Sequence, residues 1–352
     1  MRNYFHAQLP VATEPVFGES LPGFIARACA RNGYYKMRRA TMLAGHTGAV
    51  GSLCGSAANW ARLAYTFGCQ EAELVARRHP ECRIEGLTRG FENFFGSPVR
   101  LRLRETKVRR VSPASLRLAP YHRAAWLLKP LQYCPETGDR LILVCPNCSK
   151  TLRWTRTVGV EFCEHCLDDE DDPKTDLRYA ITEQLPVQDF ELYREVAKLV
   201  VPSRDPSKIA PRRLRGWAYW EIFDMIVTLT MILERRSRHF GFLGFMRMYE
   251  NLRFHQNERT WHQSFMLAAR TVADWPKAIE EVIDLMMQYR DDQGRFNAFG
   301  RMKEIGPLAH PDDLSGTPKV AAEINAAVGR VYPRLIRRSI RTRRDKDALT
   351  GF

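Results

Sequence analysis

The first clear periodicity in the chain opens at Glu19-Ser20-Leu21-Pro22. Leu21, Phe24, Ile25 and Ala28 recur at i, i+3, i+4 and i+7, the stripe of an amphipathic helix. Ser20 suits the N-cap, Pro22 is tolerated in the first turn, and Gly33 can close the helix. Before it, Met1 to Gly18 reads as an extended arm. Trp60, Leu63, Ala64 and Phe67 repeat the helical spacing, Gly68 interrupts it, and Gln70 to Arg78 starts again with Leu74 and Val75 facing inward. Helix, glycine turn and helix have the outline of a helix-turn-helix, an outline that any packed helical corner shares.

Strand-like segments appear in the middle. Leu141-Ile142-Leu143-Val144 is a short strand, and Leu152, Trp154, Thr155, Thr157, Val158 and Val160 are strand-like, with a turn at Gly159. The remainder is helical. Phe190 to Val201 is one helix, and Trp217 to Leu233 is apolar on every side, as a buried central helix is. Trp275, Ile279, Val282, Ile283 and Met286 form another stripe. Thr317-Pro318 caps a last helix carrying Val320, Ile324, Ala327, Val328 and Val331. Met225, Met231, Met286 and Met287 fit core filler.

The first of these segments precedes Cys145-Pro-Asn-Cys148, and the second lies in the stretch Ser149 to Phe162 between that pair and Cys163-Glu-His-Cys166. Two C-x-x-C knuckles at this separation bring four thiolates around one structural Zn²⁺ in a zinc ribbon. Neither pair opens a helix after a βαβ strand, which argues against a redox dithiol. His165 is a competing ligand by type, but its place in the knuckle points it outward. The scattered Cys29, Cys54, Cys69, Cys82 and Cys134 make no disulfide framework and fit a reducing cytoplasm. The longest apolar stretch, Met225 to Leu233, is too short to span a bilayer, and no signal peptide opens the chain.

Charge adds a partner class. With 54 Lys+Arg against 40 Asp+Glu, the formal net charge is +14, which favours nucleic acid or another polyanion. The basic side chains concentrate in two places. One is Arg100, Arg102, Arg104, Lys107, Arg109, Arg110, Arg117 and Arg123, interleaved with Tyr121, His122 and Trp126. The other is a tail from Arg334 to Lys346 that holds Arg337, Arg338, Arg341, Arg343 and Arg344. Both are candidate phosphate-contacting surfaces, and a solvated face is the plainer alternative for each. Asp168-Asp169-Glu170-Asp171-Asp172 reverses the charge and, with Pro173, reads as a solvated linker and domain boundary. A metal-dependent nuclease site there is disfavoured, because consecutive acids in a loop point in different directions. The glycine run Gly45, Gly48, Gly51, Gly55 lacks a P-loop Lys-Ser/Thr, and no catalytic triad, H-E-x-x-H or Walker sequence occurs.

Glu19-Ser20-Leu21-Pro22-Gly23-Phe24-Ile25-Ala26-Arg27, followed by Asn32-Gly33, resembles the opening "ESL-x-S-W-L-x-R … N-G" of TniQ proteins. Trp126, then Cys134-Pro135-Glu136-Thr137-Gly138-Asp139-Arg140-Leu141-Ile142 and Cys145-Pro146-Asn147-Cys148, resembles their "W … C-P-x-H-G-x-x-L … C-P-x-C" core. The likeness runs from about residue 14 to 170. It implies a non-enzymatic target-selection factor of DNA transposition, related to TnsD. Such a factor links target DNA, or a DNA-bound guide complex, to an AAA+ regulator and a transposase. A guide-RNA complex and a homodimer stay open as partners, and a membrane does not enter. Many TniQ proteins carry a further zinc site built from a C-P-x-C and a C-P-x-H. Here those positions align with Ala119 and His122, and with Cys134 and Thr137, so the resemblance implies that this second site is dismantled.

The fold expected is mainly α with a small β zinc ribbon. An N-terminal helix-turn-helix domain occupies residues 1–110, a zinc-ribbon region 111–172, and a C-terminal helical domain with the basic tail 173–352. A helix-turn-helix transcription regulator with a structural zinc is the alternative function.

Overall fold

The computed structural model describes residues 8–55, 58–84, 87–168, 172–209, 214–237, 258–276, 278 and 317–331. The chain forms two compact units, Met1–Pro206 and Ser207–Phe352.

The first unit begins with α1, Leu21–Arg31, on the stripe the sequence marks: Leu21, Phe24, Ile25 and Ala28 are all buried. Ser20 caps it, its hydroxyl accepting from the Gly23 amide at 3.1 Å. Glu19, fully buried, takes the Arg27 guanidinium through both oxygens, at 2.8 and 2.7 Å. The helices α2 (Met37–Leu43), α3 (Trp60–Phe67) and α4 (Glu71–Val75) follow, with Gly68 between α3 and α4 at φ +67. Here α4 is a helix of five residues.

The sequence reading confined strands to the cysteine region. The structure corrects this with a three-stranded antiparallel sheet, β1 (Glu81–Ile84), β2 (Leu87–Phe94) and β3 (Ser97–Arg100). Phe94 pairs with Ser97, so Phe95-Gly96 is a two-residue hairpin turn with φ +50 and +91. Positive φ at both positions matches the twist of the flanking strands. The usual Asn-Gly signal is absent because a phenylalanine holds the first place. Alternation is hidden as well, because Glu92 and Arg100 are buried charges on strands whose inward residues would ordinarily be apolar.

Two short helices complete the unit's helical part, α5 (Pro113–Leu118) and α6 (Val187–Ala197). In the second unit α7, Tyr219–Ser237, packs against α8 (Glu258–Ala273) and α9 (Pro318–Val331). Ile222, Phe223, Met225, Ile226, Val227, Leu229 and Met231 are all buried, so α7 is covered on every side from Ile222 to Met231. Thr317 caps α9, its hydroxyl accepting from the Val320 amide at 3.3 Å while its own amide donates to Asp224 at 3.1 Å. The stripe from Ile279 to Met286, with Met287, and the tail from Arg334 to Lys346 lie outside the described residues. No described helix is long and apolar enough to cross a membrane.

Two buried histidines make the fold sensitive to acid. His79 lies against Phe94, with ring centroids 4.7 Å apart, and His122 is enclosed by Trp126 and Trp154 at 5.1 and 4.8 Å. Burial, reinforced by the Arg104 charge, lowers the His79 pKa to about 3. Burial and the charges of Arg109 and Arg110 hold His122 well below its ordinary value. Both folded values lie below the unfolded value of about 6.5, so the unfolded chain takes up the protons first. The stability is therefore complete above pH 6.5 and is lost as pH falls. Urea unfolding at pH 7.5 and pH 5.5 should differ by about 3 kcal/mol, and His79→Gln should remove the share belonging to that ring.

Candidate metal centre

Each cysteine pair sits in its own tight hairpin. In the first, Val144 bridges Thr151, the Cys145 amide donates to the Lys150 carbonyl at 2.9 Å, and the Ser149 amide returns to the Cys145 carbonyl at 3.0 Å. Ser149 stands at φ +56, which turns the chain sharply enough to aim both sulfurs one way. The second hairpin is closed by chain that follows it. Phe162 bridges Asp176, Leu167 bridges Pro173, and the Cys163 amide donates to the Thr175 carbonyl at 3.1 Å. Asp168 and Asp172 pair beyond this bridge: the Asp168 amide donates to the Asp172 carbonyl at 3.0 Å, and the Asp172 amide to the Asp168 carboxylate at 2.8 Å. Asp169, Glu170 and Asp171 are outside the described residues.

The four sulfurs of Cys145, Cys148, Cys163 and Cys166 all lie within 4.8 Å of one another. Cys145 and Cys166 are 3.8 Å apart, as are Cys148 and Cys163. A disulfide would need about 2.05 Å, whereas a tetrahedron with metal–sulfur bonds of about 2.3 Å has edges of about 3.8 Å. The arrangement can hold one metal ion and is compatible with a zinc ribbon. Four thiolates would complete a tetrahedron and leave no position for substrate. His165 takes no part: its ring is exposed, with Nε2 3.2 Å from the Thr151 carbonyl. Burial raises the Cys148 and Cys163 thiols above their ordinary value. Burial also acts on Cys166, but hydrogen bonds from the Thr175 hydroxyl and the neighbouring thiols outweigh it and bring that thiol down to about 7.

Glu164, between the second pair, was not singled out in the sequence. It is almost wholly buried, and Arg109 donates to it at 2.6 Å, both side chains being 1% exposed. The same guanidinium donates to the Phe162 and Gly159 carbonyls at 2.7 and 3.3 Å, and the Arg153 amide donates to the other Glu164 oxygen. Arg109 thus ties the second knuckle to the strand-like chain beside the first. Its own amide donates to the Leu152 carbonyl at 2.9 Å. A lone carboxylate inside a C-x-x-C, with an arginine-rich stretch upstream, is the signal that could have revealed it.

Most of that stretch is internal. Arg100, Arg104, Arg109, Arg110 and Arg123 are buried. Arg104 pairs with Glu92 at 2.5 Å and Arg123 with Glu136 at 3.0 Å. Arg110 donates to the Trp126 and Leu131 carbonyls at 2.8 and 3.1 Å, and the Arg100 guanidinium lies over the Phe91 ring. Arg102 is half-buried, while Lys107 and Arg117 are exposed, Arg117 donating to the Arg178 carbonyl. Arg337, Arg338, Arg341, Arg343 and Arg344 lie outside the described residues.

His122 forms a buried junction with the start of α1. The His122 carbonyl accepts from the Ser20 amide at 2.9 Å, and its Nδ1 lies 2.8 Å from the Ser20 hydroxyl. His122 Nε2, Trp126 Nε1 and Trp154 Nε1 are buried without hydrogen-bond partners among the described residues, so ring packing holds this contact. Cys134 is buried, and the Thr137 hydroxyl donates to Asp139, which also accepts from Ser112 at 2.6 Å. Among the described residues, the only group of three or more potential ligands is the four cysteines. Gly23 faces this junction closely: a Cβ there would meet the His122 Cβ at 2.4 Å. Gly23→Ala should therefore cost about 1–3 kcal/mol by overpacking, read as a lowered urea midpoint with an unchanged slope.

Comparison with protein-family models and with curated proteins finds no match for this chain.

Proposed function

We propose that this protein is a non-enzymatic accessory factor of DNA transposition. In this reading it is a TniQ-type adaptor that selects the target site by linking target DNA, or a DNA-bound guide complex, to an AAA+ regulator and a transposase. The observation that supports it best is how the two resembling stretches meet. Ser20 of the first bonds to His122, whose ring packs on Trp126 of the second, and Glu19 bridges Arg123, whose guanidinium lies over the same Trp126 ring. Stretches about a hundred residues apart in the chain are thus joined through His122 and Arg123, which supports reading them as parts of one fold.

One Zn²⁺ on Cys145, Cys148, Cys163 and Cys166 completes the reading, since four thiolates in a tetrahedron suit zinc. Its role is to fix the hairpins, and no bond chemistry is assigned to it. Contact with DNA phosphates draws on Lys107, Arg117 and the tail arginines Arg337, Arg338, Arg341, Arg343 and Arg344. A helix-turn-helix reading of α3 and α4 rests on the Gly68 turn. The brevity of α4, and Glu71 and Glu73 in its first turn, weigh against a base-reading role.

The test is purification of the tagged chain from its native host with nucleic acid retained. Recovery of an AAA+ ATPase and a transposase is expected. Recovery of promoter DNA with neither protein would favour the transcription regulator.

A further inference from the structure

The turn after α1 and the segment between the two cysteine hairpins enclose a groove of about 540 Å³. Its walls are pinned together: the Thr157 amide donates to the Tyr35 carbonyl at 2.8 Å, and the Thr157 hydroxyl reaches the Ala26 carbonyl at 3.4 Å. Tyr34, Tyr35, Lys36 and Arg39 line one side, and Arg156 lines the other. Lys36, Arg39 and Arg156 are exposed, and none of their side chains makes an ion pair or hydrogen bond with another described residue. This sets them apart from Arg104, Arg109 and Arg123, whose guanidiniums are engaged inside the fold. The one carboxylate lining the groove, Glu164, is buried and neutralised by Arg109. Asp168, next in the chain to the lining residue Leu167, is turned toward the Asp172 amide.

Three unpaired cations in one concavity, beside an exposed Tyr35 ring, form a site for alternating phosphates and flat rings. The volume falls within the range of about 300–1,000 Å³ that takes small-molecule-sized groups. A nucleotide whose base is unstacked can enter such a space, whereas the broad convex surface of a duplex cannot. Cationic grooves with aromatic platforms are how single strands are held without sequence preference.

We propose that this groove binds a single-stranded nucleic-acid segment, its phosphates on Lys36, Arg39 and Arg156 and one base stacked on Tyr35. The proposal rests on the nucleic-acid reading given above and assigns a place and a strand state to it.

The experiment uses the full chain with its metal, and follows the anisotropy of a labelled oligothymidylate and of a labelled unrelated duplex over a salt series. Lys36→Ala/Arg39→Ala/Arg156→Ala should weaken oligothymidylate binding by at least about tenfold. Its log–log salt dependence should become shallower by about 2, at about 0.7 per phosphate contact on a single strand. Tyr35→Ala removes no charge, so it should weaken binding severalfold with the slope unchanged. Because these side chains are exposed and unpaired, metal content and thermal unfolding should match the parent chain. Unchanged oligothymidylate affinity in both variants, with the parent chain binding well, would overturn the groove and leave the nucleic-acid reading standing. Loss confined to the duplex probe would overturn the single-strand assignment. A parent chain that binds neither probe would overturn the groove and the wider reading together.

Discussion

Cys148→Ser is expected to release the metal and melt the segment from Val144 to Leu177. Structural zinc in small modules supplies about 10–16 kcal/mol of apparent binding free energy, and in a segment with so few apolar contacts that energy is folding energy. Few buried side chains lie between the knuckles: Leu152, Trp154 and Val160 are the large ones. Without the metal, three remaining thiols and two hairpins of a few hydrogen bonds do not offset the entropy of ordering the segment. Elemental analysis should give one zinc per chain for the parent and none for the variant. Fluorescence of Trp154, 6% exposed between the hairpins, should shift toward that of a solvated indole. Two zincs in the parent would mean that the positions around His122 and Cys134 still hold metal. None would remove the basis for the ribbon.

Arg109→Ala should be the most damaging change outside the cysteines, at about 3–5 kcal/mol, because it leaves the Glu164 carboxylate buried without its counter-charge. The carbonyls of Phe162 and Gly159 lose a donor in the same step. Replacing both partners with apolar residues of similar size, Arg109→Met with Glu164→Leu, should recover much of the loss. A surface pair gives the contrast: Arg194 and Glu191, 42% and 57% exposed, should contribute under about 1 kcal/mol. Urea unfolding of Arg109→Met, Glu164→Leu and the double variant closes the cycle. A loss below about 1 kcal/mol in Arg109→Ala would mean that the pair does not hold the knuckle.

These two predictions divide what could be read in the sequence from what could not. The four cysteines were legible because spacing alone brings thiolates together, and no tertiary context is needed to interpret it. The caps at Ser20 and Thr317 and the apolar helix, which begins at Tyr219 two residues after Trp217, were legible for the same reason, since a helix is specified within itself. Arg109 was not. Whether an arginine faces solvent or a buried carboxylate depends on a residue fifty-five positions away (164 − 109), and a charge run looks the same in either case. Glu92 and Arg100 hid the sheet likewise, by placing charges where a strand pattern is expected to be apolar. Composition marks the acidic run as a linker, and it carries no sign of the bridges that Pro173 and Asp176 make to Leu167 and Phe162.

That return pairing sets an order of events during synthesis. The hairpin around Cys163 and Cys166 closes only when Thr175 and Asp176 are available, thirty-one residues after Cys145 (176 − 145). At about 5–20 residues per second, Cys145 waits about two to six seconds after its own synthesis before the second hairpin can close. During that interval Cys145 and Cys148 are an open dithiol, accessible to a soft metal ion or to an oxidant. A metal captured then would template the second hairpin as it emerges. An oxidised first pair would leave Cys163 and Cys166 to close on nothing, and the nascent chain would carry its defect forward into every later contact that Arg109 and Glu164 make.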